Sequence, residues 1–253
     1  WEWSEHFASQ PETLRYLNFV ADKFDLRRDI QFNSKVMAAT YDQAARRWLV
    51  ETEEGMSAYA PYLLQAAGCL SAPYIPDFDG VKTFRGETWH TTAWPRDPVD
   101  LSEKRVAVIG TGATAVQLIT ELSKDVGDLT VFQRTPNYCK PLHNGPITPG
   151  EQKKIKANYK TIFERCSTTF GGFLHGADER NTFDVSREER LSLYERLWGE
   201  KGFAFWLGGF SDILTDKRAN ESAAEFVREK IRERVDDPAV ADLLVPTDHG
   251  FGT

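Results

Sequence analysis

Cysteine is scarce in this sequence, and the cysteines present follow no metal-binding or disulfide pattern. Cys69, Cys139 and Cys166 are odd in number and contain no C-x-x-C spacing within 253 residues. These features argue against a disulfide-stapled secreted domain and against a metal site. A reducing compartment, the cytoplasm, is therefore expected.

The sequence also lacks an excess of positive charge and any long apolar run. Its formal net charge is -7, from 31 Lys and Arg against 38 Asp and Glu, which argues against a nucleic-acid partner. No apolar run reaches the roughly 18 residues of a membrane span, and no basic segment followed by apolar residues indicates a secretory signal. The sequence thus predicts a globular protein with no membrane partner.

The first 80 residues predict one helix and several short strands. A helical pattern opens at Gln10, with Leu14, Leu17, Val20, Ala21 and Phe24 on one face. Strand patterns cover residues 31–36, 47–52 and 57–67, the last two joined by a turn at residues 54–55. This segment reads as a piece of a larger sheet.

A strand, a helix and a second strand follow within about 30 residues, the spacing of one βαβ unit. Residues 105–109 form a continuous apolar run that ends at Gly110, as expected of a parallel strand buried on both faces. Residues 114–122 predict the helix, and residues 129–134 predict the second strand. Beyond residue 149 the pattern changes to charged amphipathic helices at 151–165, 187–198 and 218–235. Residues 202–207 could line a pocket, cover the sheet or pack against a C-terminal part beyond this sequence, and core or interdomain packing is favoured.

The junction between strand and helix carries a G-x-G-x-x-A turn. Gly110 permits the tight turn, Gly112 lets the backbone approach a pyrophosphate, and the small Ala115 lets helix and strand pack closely. The helix N-terminus then offers free N–H groups to the anion. The turn therefore predicts dinucleotide binding.

The residue at the end of the second strand indicates which dinucleotide is bound. NAD sites carry Asp or Glu there, whereas this sequence has Arg134 followed by Thr135. A guanidinium pairs with a 2′-phosphate, so NADPH is favoured over NADH. The alternative is an ordinary solvated surface arginine.

A second motif, F-x-G-x-x-x-H-x-x-x-W-P, precedes the glycine turn. It consists of Phe84, Gly86, His90, Trp94 and Pro95. Taken singly, these residues are better explained as a structural histidine and packing aromatics. Together, and followed by the glycine turn, they resemble the fingerprint of the Baeyer-Villiger monooxygenases. Flavin monooxygenases that oxidise nitrogen or sulfur carry a similar motif, usually without the Trp-Pro ending.

The resemblance covers nearly the whole chain and implies a fold and a reaction. It implies an α/β flavoprotein with two Rossmann-like dinucleotide-binding domains and a mainly helical subdomain. The expected divisions are 1–80 for the C-terminal portion of the FAD-binding domain, 81–145 for the fingerprint and the NADP-binding βαβ unit, and 146–253 for the helical subdomain. The implied enzyme uses FAD, NADPH and O2 to insert one oxygen atom beside a ketone carbonyl, giving an ester or lactone.

The resemblance also implies roles for particular residues. Arg134 and Thr135 would hold the 2′-phosphate of NADP, and His90 would transmit domain movement. Val36 and Gly68 are the only candidate FAD contacts, and no catalytic residue or metal ligand is identified. The pyrophosphate and the nicotinamide side of NADP would be held by Gly110, Thr111, Gly112, Ala113, Thr114, Ala115 and Gln117.

Parts of the family pattern are missing. No second G-x-G-x-x-G follows a strand, and the family's active-site arginine would follow a segment like residues 246–253. The expectation is an internal fragment that has no monooxygenase activity alone. A heteroatom-oxidising flavin monooxygenase and a non-catalytic NADP-binding module remain as alternatives.

Overall fold

The computed structural model describes residues 1–70 and 72–252, so Ser71 and Thr253 lie outside the described residues. The chain forms two compact units. One unit is Gln10–Pro98, and the other combines Trp1–Ser9 with Val99–Thr253.

The unit Gln10–Pro98 contains a helix and a small antiparallel sheet. Helix α1 spans Gln10–Lys23, as the sequence predicts. Strands β1 (Val36–Asp42), β2 (Arg47–Thr52) and β3 (Ser57–Ala60) pair in the order β1-β2-β3. Gly55, with φ of +80°, lies in the turn between β2 and β3, where a positive φ suits glycine.

Two predicted strand boundaries in this unit are wrong. Residues 31–35 are not a strand, because β1 begins only at Val36, where pairing with β2 starts. β3 ends at Ala60 and does not continue to residue 67. Pro61 follows immediately, and proline cannot donate a backbone hydrogen bond to a sheet.

The apolar face of α1 is largely exposed. Leu14, Leu17 and Phe24 are 51%, 56% and 61% exposed. The 3.6-residue periodicity therefore predicts the helix correctly, while the described residues leave its apolar side chains accessible.

The second unit begins with the predicted βαβ element. Strand β4 (Arg105–Ile109), helix α2 (Ala113–Leu122) and strand β5 (Asp128–Phe132) follow one another, and β4 pairs with β5 in parallel. The expectation that β4 is buried on both faces is wrong. Only Val108 is buried, and Ile109 is 67% exposed, since this described sheet has two strands.

The described residues of this unit also form six helices: α3 (Pro149–Ala157), α4 (Tyr159–Ser167), α5 (Arg187–Gly199), α6 (Ala204–Leu207), α7 (Lys217–Arg234) and α8 (Pro238–Leu244). The predicted helix 151–165 is divided at Asn158, whose backbone leaves the helical region at φ -108° and ψ 11°. The Asn158 side chain donates to the Lys154 carbonyl, which explains the break, because asparagine competes for nearby backbone groups.

Local sequence signals explain where these helices begin. Thr148 with Glu151 and Ser186 with Glu189 form capping boxes at the starts of α3 and α5. Asp216 caps α7 through its carboxylate. In each case a side-chain oxygen satisfies backbone N–H groups that have no partner within the helix.

The hydrophobic core of this unit lies among α5, α6 and α7. Tyr194, Phe205 and Phe226 are almost fully buried, and the rings of Phe205 and Phe226 stack 5.4 Å apart. Ala204 and Phe205 are therefore core residues, as favoured for segment 202–207. Phe203 and Trp206 of the same segment are 43% and 41% exposed.

Candidate functional site

The glycine turn joins the end of β4 to the start of α2. Gly110 has φ of +102°, a conformation that side-chain-bearing residues rarely adopt. Gly112 is the N-cap of α2, and no side chain caps that helix. The N–H groups of the first turn of α2 therefore remain available to an anion.

The sheet register places the loop after β5 beside this turn. Ile109 pairs with Phe132, and the Gly110 amide donates to the Phe132 carbonyl at 2.8 Å. Because β4 and β5 are parallel, the segments that follow them leave from the same edge of the sheet. The structure thus brings Gly110 and Arg134, two residues singled out from sequence, to one edge.

Side-chain hydrogen bonds join the turn to the loop directly. The Thr111 hydroxyl donates to the Thr135 carbonyl at 3.0 Å. The Asn137 amide donates to the Thr111 carbonyl. These two side-chain hydrogen bonds hold the turn to the residues after Arg134, and the backbone hydrogen bond between Gly110 and Phe132 holds it to the strand before Arg134.

The Arg134 side chain is exposed. Its guanidinium forms no hydrogen bond or ion pair with residues in the described part of the chain, and no acidic residue occupies the end of β5. All of its donors are free to bind an external anion.

The geometry of the turn fits the pyrophosphate of a dinucleotide. A Cβ added at Gly110 or Gly112 would meet no protein atom within 4 Å, so open space lies next to the backbone at both positions. Ala113, Thr114 and Ala115 form the first turn of α2. The Gln117 amide donates to the Ala113 carbonyl at 3.2 Å, which directs it along the helix.

A groove of about 670 Å³ lies on another side of α2. Val116, Gln117 and Thr120 line it, together with Trp198 and the last turn of α7. Gly110, Gly112 and Arg134 do not line it.

The residues that support this loop include two whose importance the sequence alone did not reveal. Arg228 of α7 is 7% exposed, and its Nη2 donates to the Tyr138 hydroxyl at 3.0 Å. Its Nε donates to the Pro246 carbonyl at 2.7 Å, and its Nη1 contacts Glu221 and Glu225. A cation on the same helix face as Ala224 and Ile231 is the sequence signal that would have found it.

The surroundings of Tyr138 and Arg228 keep both side chains protonated. Burial raises the pKa of Tyr138, and the nearby Arg228 charge only partly offsets this. Burial opposes the charge of Arg228, but hydrogen bonds to Glu221 and Glu225 raise its pKa overall. At neutral pH the Tyr138 hydroxyl is therefore protonated and donates to the His249 carbonyl at 2.9 Å.

The fingerprint residues lie in the other compact unit and make mainly local contacts. A Cβ on Gly86 would lie 2.6 Å from the Phe84 ring, so glycine allows that ring to approach the backbone. His90 accepts a hydrogen bond from the Thr92 amide through Nδ1 and caps a short 3-10 helix. The rings of Trp89 and Trp94 lie 5.9 Å apart, and Pro95 follows Trp94.

The two candidate flavin contacts are accessible and belong to the same unit as the fingerprint. Val36 is 56% exposed at the first position of β1. Gly68 has φ of +76° with open space at its Cβ position. In residues 10–70 and 72–98 no strand is followed by a glycine turn and a helix, so these residues alone do not fit a flavin pyrophosphate.

Two further properties concern the described residues as a set. None of their helices combines the length and apolar character needed to cross a bilayer. They also contain no group of three or more His, Cys, Asp or Glu side chains placed to hold a metal ion.

Comparisons with a family model and with individual proteins point to the same family. A family model described as flavin-binding monooxygenase-like matches residues 3–139, more than half of the chain. The Baeyer-Villiger monooxygenase of Pseudooceanicola batsensis is 42% identical over 249 residues, which cover 97% of this chain and 45% of the relative. The phenazine N-monooxygenase of Lysobacter antibioticus is 39% identical over 251 residues, 98% of this chain and 46% of the relative.

A solved structure agrees over the whole chain. The crystal structure of OTEMO in complex with FAD and NADP matches with a TM-score of 0.96 at 44% identity, covering 100% of this chain and 48% of that chain. The predicted fold class, an α/β flavoprotein with Rossmann-like dinucleotide-binding parts and a mainly helical subdomain, is confirmed. The chain spans about half the length of the curated relatives it matches.

The family match, the relatives and the structural agreement over all 253 residues lead to one assignment. The resemblance to the Baeyer-Villiger monooxygenases is confirmed, and the chain belongs to the flavin-binding monooxygenase-like family.

Proposed function

We propose that this chain supplies the NADPH-binding part, and the adjoining helical part, of an FAD-dependent Baeyer-Villiger monooxygenase. The observation that carries the proposal is the common sheet edge of Gly110 and Arg134, joined by the Thr111–Thr135 hydrogen bond. A phosphate at the turn and a 2′-phosphate at the loop are the two anionic groups that such an edge would hold.

In this proposal each residue has a binding or orienting role. The backbone of residues 110–115 holds the pyrophosphate, and Gln117 lies farther along α2 on the nicotinamide side. Arg134 pairs with the 2′-phosphate through its free guanidinium, with Thr135 beside it. When bound, NADPH would supply the hydride that reduces FAD, and FAD would supply the chemistry that activates O2. No residue of this chain is proposed to transfer a proton or to act as a nucleophile.

The proposal extends to the organisation of the chain. Residues 1–80 contribute to FAD binding, with Val36 and Gly68 as contacts, residues 81–145 hold the fingerprint and the NADP-binding unit, and residues 146–253 form the helical subdomain. His90 transmits movement between the nucleotide-binding parts. We place the protein in the cytoplasm, because its cysteines suit a reducing compartment.

The nucleotide assignment is tested by titrating the 253-residue chain with NADP⁺ and NAD⁺ in a calorimeter. NADP⁺ is expected to bind more tightly, and Arg134→Ala is expected to weaken NADP⁺ binding by about 10-fold or more, since a charge-assisted hydrogen bond contributes about 1.5–3 kcal/mol. Arg105→Ala, at the opposite end of the β4–β5 pair, is the matched control. Equal affinity for both nucleotides in the unmodified chain contradicts the assignment.

The substrate class is a ketone in this proposal, with an ester or lactone as product. Trp94-Pro95 at the end of the fingerprint supports it, as does the similarity to the Pseudooceanicola batsensis enzyme. The similarity to a phenazine N-monooxygenase favours nitrogen oxidation as the second candidate. NADPH-dependent O2 uptake by the holoenzyme, measured with a cyclic ketone and with an aromatic amine, separates the two.

A further inference from the structure

The loop that contains Arg134 is anchored at both ends by residues distant in sequence. On its N-terminal side, the Gln133 amide donates to the Leu243 carbonyl at 2.7 Å. On its C-terminal side, Tyr138 accepts from Arg228 at 3.0 Å and donates to the His249 carbonyl at 2.9 Å. The backbone around Arg134 is therefore fixed by α7, α8 and the segment that follows them.

Arg228 is the centre of the C-terminal anchor. It is the one strongly buried cation among the described residues, at 7% exposure, and one guanidinium binds Tyr138, Pro246, Glu221 and Glu225. A guanidinium presents five donors in a fixed planar arrangement, which a lysine cannot reproduce. The network thus holds Tyr138 in one orientation relative to α7.

We infer that Tyr138 and Arg228 are positioning residues for NADPH specificity. They act through the backbone of residues 133–138 and set where the Arg134 guanidinium meets the 2′-phosphate. The inference rests on the proposed function. Neither side chain contacts the nucleotide, and their main effect is on the preference for NADPH over NADH, since this loop carries the Arg134 guanidinium while the pyrophosphate lies at the glycine turn.

The chain offers matched variants. Tyr138→Phe keeps the ring that packs against His249 and Phe251 but removes the hydroxyl. Arg228→Lys keeps the charge beside Glu221 and Glu225 but loses the planar set of donors. Tyr194→Phe is the control, because Tyr194 is fully buried in the helical core, where its hydroxyl lies 3.5 Å from the Ser222 hydroxyl.

The experiment measures dissociation constants of NADP⁺ and NAD⁺ for the 253-residue chain and each variant. Loss of one such hydrogen bond is expected to weaken NADP⁺ binding about two- to tenfold. NAD⁺ binding is expected to stay unchanged, so the preference for NADP⁺ falls. Tyr194→Phe is expected to leave that preference unaltered, even where it lowers the melting temperature.

Amide hydrogen exchange gives a second readout that needs no nucleotide. Exchange in residues 133–137 is expected to accelerate in Tyr138→Phe and Arg228→Lys, but not in Tyr194→Phe. If the preference for NADP⁺ and the exchange rates are the same in all four proteins, the inference is overturned while the proposed function stands. If the unmodified chain binds neither nucleotide, the proposed function fails and the inference fails with it.

Discussion

The Arg180 guanidinium binds both carboxylate oxygens of Asp178. Its Nε lies 2.9 Å from Oδ1, and its Nη2 lies 2.7 Å from Oδ2. These hydrogen bonds lower the pKa of Asp178 to about 2, from an ordinary value of 3.8. The pair lies beside the core, since the Asp178 amide donates to the Gly209 carbonyl.

This ion pair predicts a defined acid sensitivity. A carboxyl group whose pKa is lower in the folded state stabilises that state above its unfolded pKa. The contribution of Asp178 is therefore present above about pH 4 and is lost as the pH falls towards about 2. Melting temperatures of the unmodified chain and Asp178→Asn, measured from pH 7 to pH 2, are expected to differ at neutral pH and to converge in acid. Asp242→Asn, at an exposed site, is the control, and a gap that persists at pH 2 contradicts the prediction.

Alanine substitutions at the two glycines of the turn are expected to have different effects. Gly110→Ala forces a side chain onto φ of +102° and is expected to cost about 1–3 kcal/mol of stability. Gly112 has φ of -70° and open space at its Cβ position, so Gly112→Ala avoids backbone strain and is expected to cost at most about 1 kcal/mol, because alanine is a poorer N-cap than glycine. The added methyl instead blocks the approach of a pyrophosphate, and NADP⁺ affinity is expected to fall. Thermal melting and calorimetric titration of both variants check this separation.

Core packing around Phe205 predicts a large loss of stability on truncation. Phe205 is 2% exposed and stacks on Phe226, so Phe205→Ala is expected to cost about 3–5 kcal/mol. Phe170→Ala, at a site 94% exposed, is expected to cost little. Urea unfolding followed by circular dichroism measures both. Similar midpoints for the two variants would show that the helical core does not limit stability.

The Ser186 cap predicts a smaller and chemically specific effect. The Ser186 hydroxyl accepts from the Glu189 amide, and Ser186→Ala is expected to cost about 1 kcal/mol because that amide loses its partner. Ser186→Gly is expected to cost only a few tenths of a kcal/mol, since glycine is itself tolerated at this position. The difference between the two midpoints of urea unfolding is the test, and an equal loss in both would rule out capping as the cause.

Local sequence patterns predicted the positions of helices and strands better than they predicted which of their residues are buried. The observed bounds of β2 and β4 are those predicted, because a glycine turn follows each strand within three residues. The exposure of Ile109 was not predictable, since burial depends on which other strands and helices cover the sheet. The same holds for β1, whose start at Val36 is determined by pairing with β2.

The residues of the candidate site also divide into those that local sequence predicts and those that only the fold reveals. Gly110, Gly112 and Arg134 follow from turn chemistry and from the charge expected beside a 2′-phosphate, both of which are local properties. The contact between Tyr138 and Arg228 joins residues 90 positions apart in the sequence. No local pattern specifies such a pair, and only the packing of α7 against the loop reveals it.

The hydrogen bonds from Thr111 and Asn137 also bear on how cofactor preference can be engineered. The loop and the turn share one backbone arrangement, so exchanging Arg134 for an acidic residue changes the recognising group without changing where it is displayed. In the proposed site, a switch towards NADH would then need a change at this one side chain, and the backbone proposed to contact the pyrophosphate would keep its position. Substitutions at Thr111 or Asn137, by contrast, would disturb both the proposed pyrophosphate binding and the preference for NADP over NAD. They are therefore less suitable for redesign.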